Sequence, residues 1–470
     1  ISMALALGST STGIINTAAG NITISGVISG SGALIKEGNR TLTLSGGNSY
    51  TGGTTINNGT IKIGAGNVIG GNITINSGAT LDGSGHHAPV TSSTKLIING
   101  GTVIGGHTQA IDSVSMNNGS LTGSGANNNY YIVNGLTLSG NNTITGGIDI
   151  RSVAAGTFNV TSGTTIVSGT IDNVHGSSNP LTKNGTGTLT LSGNNFMRGT
   201  TLNAGTLNIN SATALGNGTF AFTINGGTID NTSGSSKTLT NNNTQSWNGD
   251  FTFLGTNGSL NMGTGNVTMN ASRTVTVNSG NFIVDGKISG AGFGLTKNGS
   301  GTLRINPSST YSGATAINGG KLQIHNTAGT IGWDAGTIAI NNGSTLEFTG
   351  SGQTIFEGAG DNITFDSAGG GSILLTMNPI FRTGASIITT GGAMNTISGT
   401  WFNGQNTHFI TYDTAVGTGA AALQVGSNHL NIGIIKNGLG TLLLTDVSNG
   451  MAQTGNTLTI NAGTLEIGSA

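Results

Sequence analysis

A short unit recurs along the whole chain: two alternating apolar residues, then Asn-x-Gly, then another apolar residue. Ile73-Thr74-Ile75-Asn76-Ser77-Gly78-Ala79-Thr80-Leu81 is the clearest copy. Phe222-Thr223-Ile224-Asn225-Gly226-Gly227-Thr228-Ile229 and Ile338-Ala339-Ile340-Asn341-Asn342-Gly343-Ser344-Thr345-Leu346 repeat it, as do Val275 to Gly280 and Leu458 to Leu465. Asn57, Asn76, Asn99 and Asn117 follow one another at 19, 23 and 18 residues, and Asn203 and Asn225 stand 22 apart. Asn318 and Asn341 are 23 apart, and Asn278 precedes Asn318 by 40, two periods. A period near 20 residues is one turn of a solenoid whose coil holds two or three short strands.

The physics of the unit is local. Period-2 alternation sends Ile, Val and Leu inward and Thr, Ser and Asn outward. The Asn and Gly then turn the corner, because both tolerate positive φ. One coil cannot bury its own apolar side, so coils must stack. At ~22 residues per coil and ~4.8 Å per layer, the chain makes about 20 coils in a rod of roughly 100 Å. Equivalent Asn side chains are expected to stack as hydrogen-bonded ladders. Asn-Gly pairs also mark antiparallel hairpins, the structural alternative, but hairpins need no fixed coil period. No segment carries the 3.6-residue apolar stripe of a helix.

Composition narrows the class. Of 470 residues 85 are Gly, 4 are Pro and none is Cys, and only 7% are charged. Hydrophobic residues reach 34% and net charge is −1, which excludes the polar, highly charged make-up of disordered chains. Collagen is excluded because Gly does not recur every third residue. There is no basic surface for nucleic acid and no polybasic segment for anionic lipid. No apolar run approaches the ~20 residues of a spanning helix. Without Cys, disulfides, thiolate metal sites and Cys nucleophiles are absent.

A longer motif overlies the unit four times. Its first copy runs Gly32-Ala33-Leu34-Ile35-Lys36-Glu37-Gly38, Thr41-Leu42-Thr43-Leu44-Ser45-Gly46, Asn48-Ser49-Tyr50-Thr51-Gly52-Gly53-Thr54 and Asn57-Asn58-Gly59-Thr60-Ile61. The second runs from Leu181-Thr182-Lys183-Asn184-Gly185 to Asn203-Ala204-Gly205-Thr206-Leu207. The third starts at Leu295-Thr296-Lys297-Asn298-Gly299 and passes through Tyr311-Ser312-Gly313; the fourth starts at Ile435-Lys436-Asn437-Gly438 and ends at Gly463-Thr464-Leu465. The copies lie near 32–64, 181–210, 295–325 and 435–468. This pattern resembles the autotransporter-associated β-strand repeat of type V secreted passengers and large bacterial surface proteins. The stretches Thr238 to Phe253 and Ala271 to Val277 resemble segments common in such proteins.

The resemblance implies an all-β, right-handed parallel β-helix (β-solenoid), exported by a bacterium to its surface or surroundings, with a role in adhesion or surface structure. Nothing here resembles the C-terminal membrane barrel of autotransporters, so the barrel is expected to be cleaved, omitted or never present. The third copy departs from the pattern at Pro307-Ser308-Ser309, which predicts a bulge or loop.

Candidate chemistry is thin. Catalytic β-helices cluster carboxylates and cations on neighbouring coils, whereas Asp82, Asp112, Asp149, Asp172, Asp230 and Asp250 read as isolated. Glu357-Gly358-Ala359-Gly360-Asp361 faintly resembles a Ca²⁺-binding nonapeptide, but as a single copy it reads as a turn. His86-His87, near Pro89, reads as an exposed loop rather than a metal site. Lys36, Lys183, Lys297 and Lys436 recur at one motif position. They read as solubilising residues that blunt the strand edge, with acidic-glycan binding the lesser alternative. Trp247, Trp333, Trp401, Tyr130 and Tyr131 are candidates for sugar stacking and, more simply, interior fillers. No nucleophile elbow or protease Gly-Asp-Ser-Gly segment is present. No catalytic residue, cofactor or metal is therefore assigned.

Domain organisation reads as an N-terminal apolar segment over 1–20 and a continuous solenoid over 21–470. The start at Ile1-Ser2-Met3, without an initiator Met, reads as a processed product or an excerpt; its apolar stretch is the end of a signal peptide or an N-terminal strand. A solenoid has two open ends, and no capping segment is evident at either. Met3, Leu5, Leu7, Ile14, Ile15, Leu465 and Ile467 are then the expected interface of a head-to-tail homopolymer, with the first segment adding as a strand to the next subunit. The leading functional reading is a non-enzymatic fibre or matrix subunit. The alternative is a cleaved passenger acting as an adhesin, whose loops Gly83 to Ser93 or Gly369 to Met394 meet a glycan or surface protein. A polysaccharide-active enzyme comes last.

Overall fold

The computed structural model describes all residues except 65–68, 85–92, 106–109, 124–128, 151, 153–155, 173–178, 328–329, 333–335, 342, 357–362, 366–370, 376–379, 382–385, 390–394, 400–408, 415–420, 427–432, 439, 446–457 and 469–470. The described residues form strands, turns and bends without a helix, and every pairing described between strands is parallel. The chain is a parallel β-solenoid. It divides into two compact units, residues 1–229 with 239–241 and residues 230–238 with 242–470.

In the first unit the short strands of each coil fall on separate sheets. One sheet stacks Thr12–Asn16, Ala33–Glu37, Thr54–Ile56, Ile73–Ile75 and Lys95–Asn99 in order and continues to Phe222–Ile224. A second stacks Ile22–Ile24, Thr41–Leu44, Thr60–Ile63, Thr80–Asp82 and Thr102–Gly105 and continues to Thr206–Ile209. Register follows the alternation read from sequence. Leu42, Ile61, Leu81, Val103, Leu121 and Ile144 occupy one in-register column and are all buried. Each such side chain contributes about 1.5–3 kcal/mol by leaving water, so stacking is driven by these columns.

Residues 1–20 join the same stack: Leu5–Leu7 pairs with Ile28–Gly30, and Thr12–Asn16 with Ala33–Glu37.

The second unit repeats the scheme. Phe282, Leu303, Leu322, Leu346, Ile373 and Ile397 form a buried column across consecutive coils. A second interior patch is aromatic: Trp247 meets Phe251 edge-on at 5.1 Å, and Phe282 lies 5.7 Å from Phe251 and 5.2 Å from Phe253. Where the third motif copy departs from the pattern, the chain makes a tight turn at Pro307-Ser308. Asn306 Oδ1 accepts the Ser308 amide at 2.8 Å, and Ser309 Oγ donates to Asn306 O at 2.7 Å.

Candidate functional site

The four recurring lysines are the most distinctive side chains of the structure, and they are not on the surface. Lys36, Lys183, Lys297 and Lys436 are each fully buried. This corrects both the edge-blunting and the glycan-binding expectation, since neither role is open to an ammonium that solvent does not reach. Alternation explains the placement: Lys36, Lys183 and Lys297 each follow a buried leucine, Leu34, Leu181 and Leu295, by two residues and therefore point inward as well.

A buried ammonium is costly unless it is bonded, and the following turn supplies the acceptors. Lys183 Nζ donates to Asn184 O at 2.9 Å, Gly185 O at 2.8 Å and Ala204 O, on the next coil, at 3.0 Å. Lys36 does the same with Glu37, Gly38 and Asn58 at 3.0, 2.7 and 2.9 Å. Lys297 repeats it with Asn298, Gly299 and Gly319 at 3.0, 2.8 and 2.9 Å. Lys436 reaches Ala462 O, again one coil on, at 3.1 Å.

The glycine after the turn makes this possible. Gly185 sits at φ 75°, and a Cβ built there meets Val160 O at 2.3 Å, so only glycine fits. Burial draws the pKa of Lys183 and Lys297 down to about 8. Lys36 is lowered by the same cause, against the opposing pull of Glu37. The group is a clasp that fastens a coil to its successor.

Two further motif positions are fixed by bonding. Tyr50 Oη and Thr54 Oγ1 lie 2.7 Å apart in the interior, as do Tyr311 Oη and Thr315 Oγ1. In the second copy buried Met197 replaces the tyrosine, and Thr200 Oγ1 turns to Leu215 O at 3.2 Å. Two residues earlier, Asn48, Asn195 and Ser309 each accept the amide of an apolar residue on the preceding coil, Ile28, Ile171 and Ile288, at 3.0, 2.9 and 3.1 Å.

The asparagine ladders are present. Asn76 donates to Asn57 at 2.7 Å, and Asn57 donates to Glu37 Oε1 at 2.6 Å. Asn225 donates to Asn203 and Asn203 to Asn184, both at 2.7 Å; Asn341 donates to Asn318 at 2.9 Å and Asn318 to Asn298 at 3.0 Å.

The carboxylates are tied into turns and neighbouring coils. Asp82 accepts the Ser84 amide at 2.9 Å, and Asp112 accepts Asn134 Nδ2 at 2.5 Å. Buried Asp230 takes the amides of Asn231 and Thr256 at 2.8 and 3.0 Å and the Thr256 hydroxyl at 2.5 Å. Asp250 caps Thr274 N at 2.9 Å. Asp149 and Asp172, isolated in sequence, stand in register on neighbouring coils, and both are engaged within the chain. Among the described residues no group of three potential metal ligands forms.

Of the candidate stacking aromatics, Trp247, Tyr130 and Tyr131 are interior. Trp247 Nε1 donates to Gln245 Oε1 at 3.2 Å, and Tyr130 Oη donates to Thr122 O at 2.7 Å. Among the described residues the exposed ring is instead Phe196, 57% accessible at the position held by Ser49 in the first copy. Trp333, Trp401, His86-His87 and the Glu357–Asp361 stretch lie outside the described residues, as do most of the loops 83–93 and 369–394. Of the expected assembly residues, Met3, Leu5, Ile14 and Ile467 are exposed, Ile15 and Leu465 are half-buried and Leu7 is buried. No helix among the described residues is long and apolar enough to cross a membrane.

A parallel solenoid with a clasped repeat at four places defines an autotransporter passenger-like β-helix protein, and the comparisons agree. The passenger-associated-transport-repeat family matches residues 34–63, 181–209, 295–324 and 434–467, the four stretches that carry the clasps. The chain is 32% identical over 308 residues to the adhesin BmaC autotransporter of Brucella suis biovar 1 (strain 1330). That alignment covers 61% of this chain and 8% of the relative's length. No solved structure matches.

Proposed function

We propose that this chain is a stretch of a bacterial surface passenger, a non-enzymatic solenoid that extends and displays an adhesive surface outside the cell. One observation carries the reading: the repeats spend their reactive side chains on holding coils together. The lysines are buried in carbonyl clasps, the tyrosines are bonded to threonines, and the asparagines are bonded to one another. A general acid, base or nucleophile needs access to substrate, and the buried lysines and tyrosines have none. The printed description of the Brucella relative as an adhesin supports the adhesive half of the reading.

The test is to display the chain on a non-adherent bacterium beside an unrelated solenoid of equal length. Adhesion to host cells or matrix above that control, blocked by the free purified chain, is the expected result. Equal adhesion by both displays would refute the reading. Head-to-tail self-association is a second proposal, since the parallel pairing that stacks each coil on the next can continue from one chain to another. Electron microscopy tests it directly: filaments support it, and dispersed single particles oppose it.

A further inference from the structure

Strands Asn281–Val284, Thr302–Ile305, Lys321–Asn326 and Thr345–Gly350 stack in register on one face of the second unit. Alternation sends Phe282, Leu303, Leu322 and Leu346 inward and leaves half-buried Ile283, Arg304 and Gln323 as the outward column, which ends at Glu347, itself buried beneath its partners. Only 7% of the chain is charged, yet four charged side chains meet on this face. Arg304 Nη2 contacts both oxygens of Asp285 at 2.7 and 2.9 Å, and Asn261 donates to the same carboxylate at 2.9 Å. Lys321 Nζ lies 3.2 Å from Glu347, which also accepts Gln323 Nε2 at 2.7 Å. His325 Nδ1 and Thr349 Oγ1 are 2.9 Å apart.

We propose that this face binds a neutral polysaccharide, its chain running along the stacking direction. The inference rests on the adhesive reading above and supplies a ligand class for it. Three properties select that class. The two cations and two anions cancel, so a polyanion gains nothing from the net field. Guanidinium, amide, ammonium, imidazole and carboxylate groups place donors and acceptors side by side, which matches hydroxyls that are both at once. Rows of this face repeat every ~4.8 Å, a spacing on the scale of a single sugar ring, so successive rows can meet successive sugars.

Two features raise the affinity such a face can reach. Each polar group is already held by a neighbour on the next coil, so little side-chain entropy remains to be lost on binding. Half-buried Ile283 and the stems of Arg304 and Lys321 offer apolar area for the C–H face of a sugar. A purely structural ion network would show no ligand at all.

The test titrates the full chain with neutral glucan and mannan oligosaccharides of increasing length, and with heparin fragments, at low and high salt. Neutral oligosaccharides should bind with salt-independent affinity that rises until the ligand spans the four strands, about four sugars at this spacing. Gln323→Ala and His325→Ala should each weaken binding at least about tenfold, the loss of one or two good hydrogen bonds, while hydrogen exchange shows that the stack stays folded. Binding to heparin alone that disappears in salt would overturn the inference, as would neutral binding indifferent to both substitutions, or no binding. If no polysaccharide binds while the displayed chain still promotes adhesion, this inference fails and the adhesive reading stands. Oligosaccharide binding here without adhesion would reverse that outcome.

Discussion

Replacing Lys183 by Met removes the ammonium and keeps nearly the same volume, so the substitution isolates the clasp. The carbonyls of Asn184, Gly185 and Ala204, at 2.9, 2.8 and 3.0 Å from Nζ, lose their donor together. A buried acceptor left unsatisfied costs about 1–3 kcal/mol. Part of that loss is recovered because no charge has to be desolvated any longer, and burial already weakens the ammonium by lowering its pKa to about 8. The net expectation is a loss of about 2–4 kcal/mol at this coil.

Solenoids do not unfold in one step, so a global melting curve dilutes the effect. Native-state hydrogen exchange of the paired strands Leu181–Asn184 and Thr200–Leu202 reads it locally. Protection there should fall about 30- to 700-fold, since 1.4 kcal/mol is a factor of ten. Exposed Lys287 serves as control; its replacement by Met should shift nothing beyond about 0.5 kcal/mol. Protection in Lys183→Met that is unchanged or increased would refute the view that the ammonium holds two coils together.

Three further outcomes follow from the same geometry. The pKa of Lys183 and Lys297 is about 8 in the fold, below the ordinary 10.5, so between those values the unfolded chain binds more protons. Their contribution to stability therefore rises with pH through that window; the cost of the buried charges is fully present below it and gone above it. Titration of the lysine Nζ signals checks this, and finding every lysine at its ordinary value would refute it. Tyr50→Phe deletes a buried bond to Thr54 and should cost about 1 kcal/mol, with little further loss when Thr54→Val is added. Gly185→Ala should cost more than about 2 kcal/mol, from positive φ and the 2.3 Å contact with Val160 O. Gly47→Ala, with nothing within 4 Å of its Cβ, should be silent in the same exchange experiment.

The period, the parallel stack, the ladders and the four repeats were legible in the sequence because each rests on local alternation and turn chemistry. The lysines were legible too, in their periodicity rather than in their charge. In Leu34-Ile35-Lys36 and Leu295-Thr296-Lys297 the lysine shares the parity of an inward leucine, and the Asn-Gly turn that follows signals where its acceptors come from. Lysine is seldom buried, so residue type and periodicity point in opposite directions at these four positions, and periodicity is the one the fold obeys. Other features had no local signal. Asp149 and Asp172, like Asp285, Arg304 and Glu347, become neighbours only through register, and register depends on bend lengths that alternation does not fix.

The asparagine ladders have a direction. In all three, the amide nitrogen of the later coil donates to the oxygen of the earlier one. The lower end of a ladder therefore only accepts, and in the first it is a carboxylate, Glu37, that takes this place without losing a bond. At the upper end of the third, Asn341 Oδ1 is buried with no donor among the described residues. The side chains thus form one-way wires whose dipoles add along the stack, each bond polarising the next. Such a wire can be ended by an anion on one side and by a donor on the other, but never the reverse. A substitution that is harmless at Asn184, Asn→Asp, would sever the ladder if placed at Asn203.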